Sequence, residues 1–140
     1  MGTRSLTIVE DAQGRGIVTM YRQMDGYPSG HGQDIADFLK DICMINGFSM
    51  EQDQPGKFAN GMGCLAAQIV SHFKTDVGGI YLQPTEQNDI EEDYVYIISP
   101  KSDGSASSKG NIILNMQCIS YGDVLFDGPP AKFRAEKIVE

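Results

Sequence analysis

The chain has 140 residues, 41% of them hydrophobic and 21% charged, which are the proportions of one globular domain and exclude a fibrous or disordered chain. A formal net charge of -8 argues against direct nucleic-acid binding, because phosphates must be met by Lys and Arg. No apolar run approaches the ~18 residues of a membrane span, and the start MGTRSLTIVE has no signal-peptide core, so the expected setting is the cytoplasm.

In chain order, residues 4–10 alternate and are rich in branched side chains, which predicts a strand. DAQGRG is a hairpin turn, and residues 17–23 return as a second strand. Its alternation puts Ile17, Thr19 and Tyr21 on one face and Val18, Met20 and Arg22 on the other. A glycine-rich loop leads into QDIADFLKDICMI, where Ile35, Phe38, Leu39, Ile42 and Ile45 form one helical stripe that Asn46-Gly47 ends. Residues 48–60 read as a surface excursion. Met62, Leu65, Ala66, Ile69, Val70 and Phe73 then predict a second helix ending near Lys74.

Strands follow at 77–84, at 94–99 with Tyr94, Tyr96 and Ile98 on one face, at 111–120, and in DVLF. KSDGSASSKG is a flexible hairpin tip, DGPP stops the last strand, and the end reads as a polar tail. The order ββααββββ predicts a single α+β domain over residues 1–128, followed by a tail over 129–140. Its sheet should be largely antiparallel, with about five to six strands and both helices on one face.

Two glycine-led helix starts concentrate the chemistry. In MYRQMDGYPSGHGQDIADFL, Gly26, Gly30 and Gly32 let the backbone approach a ligand, and the first helix offers free N–H groups to an anion. Arg22 adds a guanidinium for a phosphate or carboxylate, Tyr21 and Tyr27 add rings to stack on a base, and Asp25 adds an acceptor for a ribose hydroxyl. The same residues also make a capped turn, with Asp25-Gly26 as the turn dipeptide and Ser29 or Gln33 as the cap. In NGMGCLAAQ, Gly61, Gly63 and Ala66 have dinucleotide-fingerprint spacing, but no buried parallel strand precedes them. Close helix packing, with Asn60 as N-cap, is the competing reading.

His31 is the one candidate general base, with no nucleophile tied to it. The histidines and cysteines lack metal-ligand spacing, so no metal and no cofactor is expected, and Cys43, Cys64 and Cys118 read as buried free thiols. Tyr81, Tyr94, Tyr96 and Tyr121 decorate the C-terminal strands and read as core or as interface, and a homo-oligomer interface is the hypothesis for them. The acidic run EQNDIEEDY, residues 86–94, is either a solvated loop or a surface for a basic protein partner.

The motifs TRSLTIV, YRQMDGYPSGHG, NGMGCLAAQ with SHFK, and GGIYL resemble a family of small proteins of phages, prophages and bacteria, over about residues 2–99. The matching positions include Thr3, Arg4, Tyr21, Arg22, Asp25, Gly26, Tyr27, Gly30, His31, Asn60, Gly61 and Gly63. The resemblance implies a phage-type accessory protein in the cytoplasm of a host bacterium, and carries no fold or activity with it.

The expectation is a non-catalytic, oligomeric binder of a small anionic, nucleotide-derived ligand, such as a host immune signal. In it the first helix and Arg22 hold phosphate, with Arg4 assisting, Tyr21 or Tyr27 stacks, and Asp25 or Asn60 reads a hydroxyl. The alternatives are an acidic inhibitor of a host defence protein and a nucleotide-processing enzyme using His31.

Overall fold

The structure is a computed structural model that describes residues 2–45, 58–84, 92–101 and 112–138. Asn46-Gly47, the excursion up to residue 57, the acidic run as far as residue 91 and the Ser-Gly tip lie outside the described residues.

The fold is α+β. Strands β1 (Ser5–Glu10), β2 (Gly16–Arg22), β5 (Ile80–Gln83), β6 (Tyr94–Lys101), β7 (Ile113–Ser120) and β8 (Asp123–Gly128) form one mixed sheet in the order β5-β2-β1-β6-β7-β8. Every neighbouring pair is antiparallel except β1 with β6. The β1–β2 hairpin is held by Asp11, whose Oδ1 accepts the amides of Gln13 and Arg15, while Arg15 Nε donates to Oδ2 at 2.9 Å.

Strand alternation divides the sheet into two faces. Ser5, Thr7 and Val9 pair with Arg22, Met20 and Val18 on one side and with Tyr94, Tyr96 and Ile98 on the other. This face receives helices α1 (Gln33–Lys40) and α2 (Gly61–Phe73), and its Val9, Met20, Tyr96, Ile98, Met116 and Cys118 are fully buried beneath Ile35, Leu39, Leu65 and Ile69.

Two elements depart from the sequence pattern. The first helix ends at Lys40, and Cys43–Ile45 becomes a short strand, β3, paired in parallel with β4 (Phe58–Asn60). The apolar stripe does continue through Ile42 and Ile45, but pairing with a distant segment wins over helical continuation there. The end of the chain is also more than a polar tail. Two 3₁₀ turns, Pro130–Lys132 and Ala135–Lys137, place Phe133 in the core, edge-on to Phe126. Gln33 Oε1 accepts the amide of Ala135 at 2.9 Å, tying this segment to α1.

The tyrosines expected to share one interface are separated. Tyr94 and Tyr96 are buried under the helices, Tyr81 lies on the opposite face beside Tyr21, and Tyr121 stands on the β7–β8 turn and donates to Asp93. Cys43 and Cys64 are exposed rather than buried, whereas Cys118 is in the core, and all three are free thiols. Among the described residues no helix is long and apolar enough to cross a membrane.

Candidate functional site

The site is organised around Arg22, at the end of β2, and His31, in a single π turn (Pro28–Gly32) that leads into α1. His31 is completely buried, edge-on to Phe73 at 4.9 Å between ring centroids. Arg22 Nη1 stands 3.4 Å from His31 Nδ1. A guanidinium only donates, so Nδ1 is the acceptor and the ring proton belongs on Nε2, which donates to Thr7 Oγ1 at 3.2 Å. Burial, followed by the charge of Arg22, lowers the imidazole pKa from 6.5 to about 3. A neutral imidazole is therefore part of the fold at physiological pH. It is poorly suited to general acid catalysis and well suited to hold Arg22.

Arg22 Nε also donates to the carbonyl of Met24 at 2.7 Å. These two bonds fix the guanidinium plane and use two of its five N–H groups, leaving three without a partner among the described residues. A cleft of about 240 Å³ lies beside it, bounded by Arg22, Asp25, Phe73, Lys74, Asp76 and the Gly78-Gly79 backbone. Lys74 Nζ donates to the carbonyls of Gly78 and Ile80 at 2.9 and 2.8 Å, which uses two of its three protons and pins the loop between α2 and β5. Neither cation forms a salt bridge among the described residues. Asp25 sits at a φ of +62°, in the left-handed region that Asp tolerates better than most residues.

The glycines of the loop serve packing. A Cβ on Gly26 would stand 2.7 Å from Ser5, and one on Gly32 would stand 2.8 Å from the Tyr96 hydroxyl. That hydroxyl donates to the carbonyl of Gly26 at 2.7 Å and clamps the loop onto the sheet. The amides of Gly30, His31, Gly32 and Gln33 all donate to carbonyls within the loop. The anion-binding role expected for the start of α1 is thus filled by internal bonds, because a π turn precedes the helix and caps it.

The other expected residues separate into groups. Arg22 and Asp25 reach the cleft together, with Tyr27 linked to Asp25 through its hydroxyl at 3.4 Å. Tyr21 points to the other face of the sheet, as a strand neighbour of Arg22 must, and its ring meets that of Tyr81. Arg4 precedes β1, where its amide donates to Asp93 and its carbonyl accepts from Asp93 and Tyr94. Asn60, Gly61 and Gly63 start α2, while Phe73 at its far end is the residue that meets His31. Gly61 and Phe73 are twelve helical steps apart, about 18 Å, so the two glycine-led starts do not converge. Gly61 has a φ of +81° and serves the turn from β4 into α2.

Sequence reading missed Lys74, Asp76 and Gly78-Gly79. Their signal was the two consecutive glycines after a basic helix end, which mark a loop whose carbonyls a lysine can reach. Both glycines have positive φ, 76° and 74°. Among the described residues no group of three His, Cys, Asp or Glu side chains is placed to hold a metal ion. No protein-family model, no curated protein and no solved structure matches the chain.

Proposed function

We propose that the protein is a non-catalytic binding protein for a small phosphate-bearing ligand of nucleotide type, held in the Arg22–Lys74 cleft. The carrying observation is the fixed guanidinium of Arg22, oriented by His31 and the Met24 carbonyl, with three N–H groups unpartnered among the described residues beside a second cation. A preorientated arginine loses little side-chain freedom on gripping a phosphate in two places.

The cleft also contains Asp25 and Asp76, which offset the two cations. A bare anion gains little in such a site. A ligand with both phosphate and hydroxyl groups uses the cations and the carboxylates together, and this favours a nucleotide over inorganic phosphate. The volume of about 240 Å³ is below the ~300 Å³ at which drug-sized pockets begin. It suits a phosphate and sugar, with the base resting outward against Met24 or Val77.

The resemblance to phage and prophage proteins extends the proposal to sequestration of a host immune signal, with His31 in a positioning rather than a catalytic role. Isothermal titration with AMP, ADP, cyclic AMP and inorganic phosphate tests the reading. At least one nucleotide should bind better than phosphate, and Arg22→Ala should lose at least about 10-fold in affinity while remaining folded. Unchanged affinity in Arg22→Ala, or no binding of any nucleotide by the wild type, would overturn it.

A further inference from the structure

The face of the main sheet opposite the helices has no helix on it among the described residues, and the strand registers fix which side chains it presents. Leu6 and Ile8 of β1, Thr19 of β2, Val95 and Ile97 of β6, Ile119 of β7 and Val124 of β8 all have this parity, as do Asn115 and Gln117 of β7, which donate to Asp127. Leu6 and Thr19 are fully buried, Ile8, Val95, Ile97 and Ile119 are half-buried, and Val124 is 56% exposed. At one edge Tyr21 and Tyr81 extend the surface with a tilted ring pair at 6.0 Å. The charged side chains of that parity, Glu10, Lys101 and Asp127, stand at strand ends or on the outermost strand. An uncharged, branched-aliphatic centre of this kind is unusual on a chain whose net charge is -8.

We infer that this face is the interface of a homodimer in which two copies pack sheet against sheet. Size and charge both point to a second copy as the occupant. Six strands spaced ~4.8 Å apart and averaging six to seven residues cover at most about 600 Å² per copy, or about 1,200 Å² for the pair, the lower end of the range of stable specific interfaces. Two chains of charge -8 repel each other at most orientations, and this face lets them meet with their charges at the margin.

The strand order also suits a two-fold axis. β1 and β6 are the central pair of the sheet, and Ile8 and Ile97 are register partners on them. A two-fold axis lying in the interface and crossing these two strands brings Ile8 and Ile97 against their own counterparts, one arrangement that an isologous interface allows. The ligand cleft opens on the helix side of β2 and meets this face only at its edge, where Lys74 Nζ lies 5.6 Å from the centre of the Tyr81 ring.

Sedimentation velocity and light scattering on the full chain from 1 to 100 µM test it. The wild type should have twice the 15.3 kDa mass of the chain at the upper end of this range. The double variant Ile113→Lys/Val124→Lys alters two residues of this face, Ile113 being the register partner of Lys101, that are 48% and 56% exposed, so the fold should be kept, as circular dichroism would verify. It should dissociate at least about 10-fold more readily, because each charge enters the interface twice. Ile97→Asp should dissociate the dimer further by placing two carboxylates near the axis. Leu82→Lys, on the helix side of β5, should leave the dimer intact. A wild-type monomer at 100 µM would overturn the inference. So would a double variant that dimerises like the wild type, or an equal loss in Leu82→Lys.

Discussion

Replacing His31 by Gln removes one titrating group from the core and keeps a donor that can reach Thr7. The imidazole is wholly buried, and its pKa falls from 6.5 to about 3 on folding. The unfolded chain therefore takes up a proton at His31 that the folded chain refuses. Stability from this group is fully present above pH 6.5 and is lost as pH falls toward 3. Linkage puts the loss at about 2 kcal/mol between pH 7.5 and pH 5, a window that ends before most carboxylates titrate.

Urea unfolding of wild type and His31→Gln, measured in parallel at pH 7.5, 6 and 5, isolates this contribution because every other group is common to both proteins. With an m-value of about 2 kcal/mol/M, the wild-type midpoint should fall about 1 M further than that of the variant over the window. The variant will be less stable at pH 7.5, so the test is the difference in slope. Parallel pH profiles, or an imidazole that titrates near pH 6.5 in the folded protein by NMR, would refute the buried, Arg22-paired His31.

Other substitutions probe the clamp, the docked C-terminal segment and the division of the sheet faces. Gly32→Ala puts a methyl 2.8 Å from the Tyr96 hydroxyl and should cost about 2–3 kcal/mol in urea unfolding by displacing its bond to Gly26. A loss under about 0.5 kcal/mol would mean that the loop absorbs the methyl freely. Phe133→Ala should cost about 3–5 kcal/mol, whereas a tail outside the core would show almost nothing. Tyr21→Ala should leave nucleotide affinity within about 2-fold of wild type, because its ring lies across the sheet from Arg22.

Local periodicity made the strands and α2 readable, since Met62 to Phe73 keeps the three-four spacing and Tyr94, Tyr96 and Ile98 alternate onto one buried face. Long-range pairing was invisible. Nothing local to Ile42–Ile45 shows that Phe58–Asn60 will pair with it, so the helical stripe ran on past Lys40. The parallel contact of β1 with β6 joins segments almost ninety residues apart and left no trace in either strand. Phe133 is one aromatic residue in a polar segment, with no period to betray its burial.

At the site, Arg22 and Asp25 were legible because a cation and an acceptor flank the loop. The sequence already argued against Tyr21, whose place beside Arg22 in a strand forces the two onto opposite faces. The loop glycines were ambiguous for a physical reason: the missing side chain that admits a ligand equally admits Ser5 and Tyr96, and here the protein fills the space itself. Lys74 had only the two glycines that follow it as a signal, and the carbonyls it reaches are set by the fold.

The central claim is that Arg22 and Lys74 hold a phosphate-bearing molecule. Its most direct test is to incubate wild type and Arg22→Ala with a bacterial nucleotide extract, remove unbound material, denature both by heat, and quantify the released molecules by mass spectrometry. The wild type should release one phosphorylated species, approaching one per cleft, and the variant almost none. Equal release from both proteins, or no phosphorylated molecule from the wild type, would contradict it.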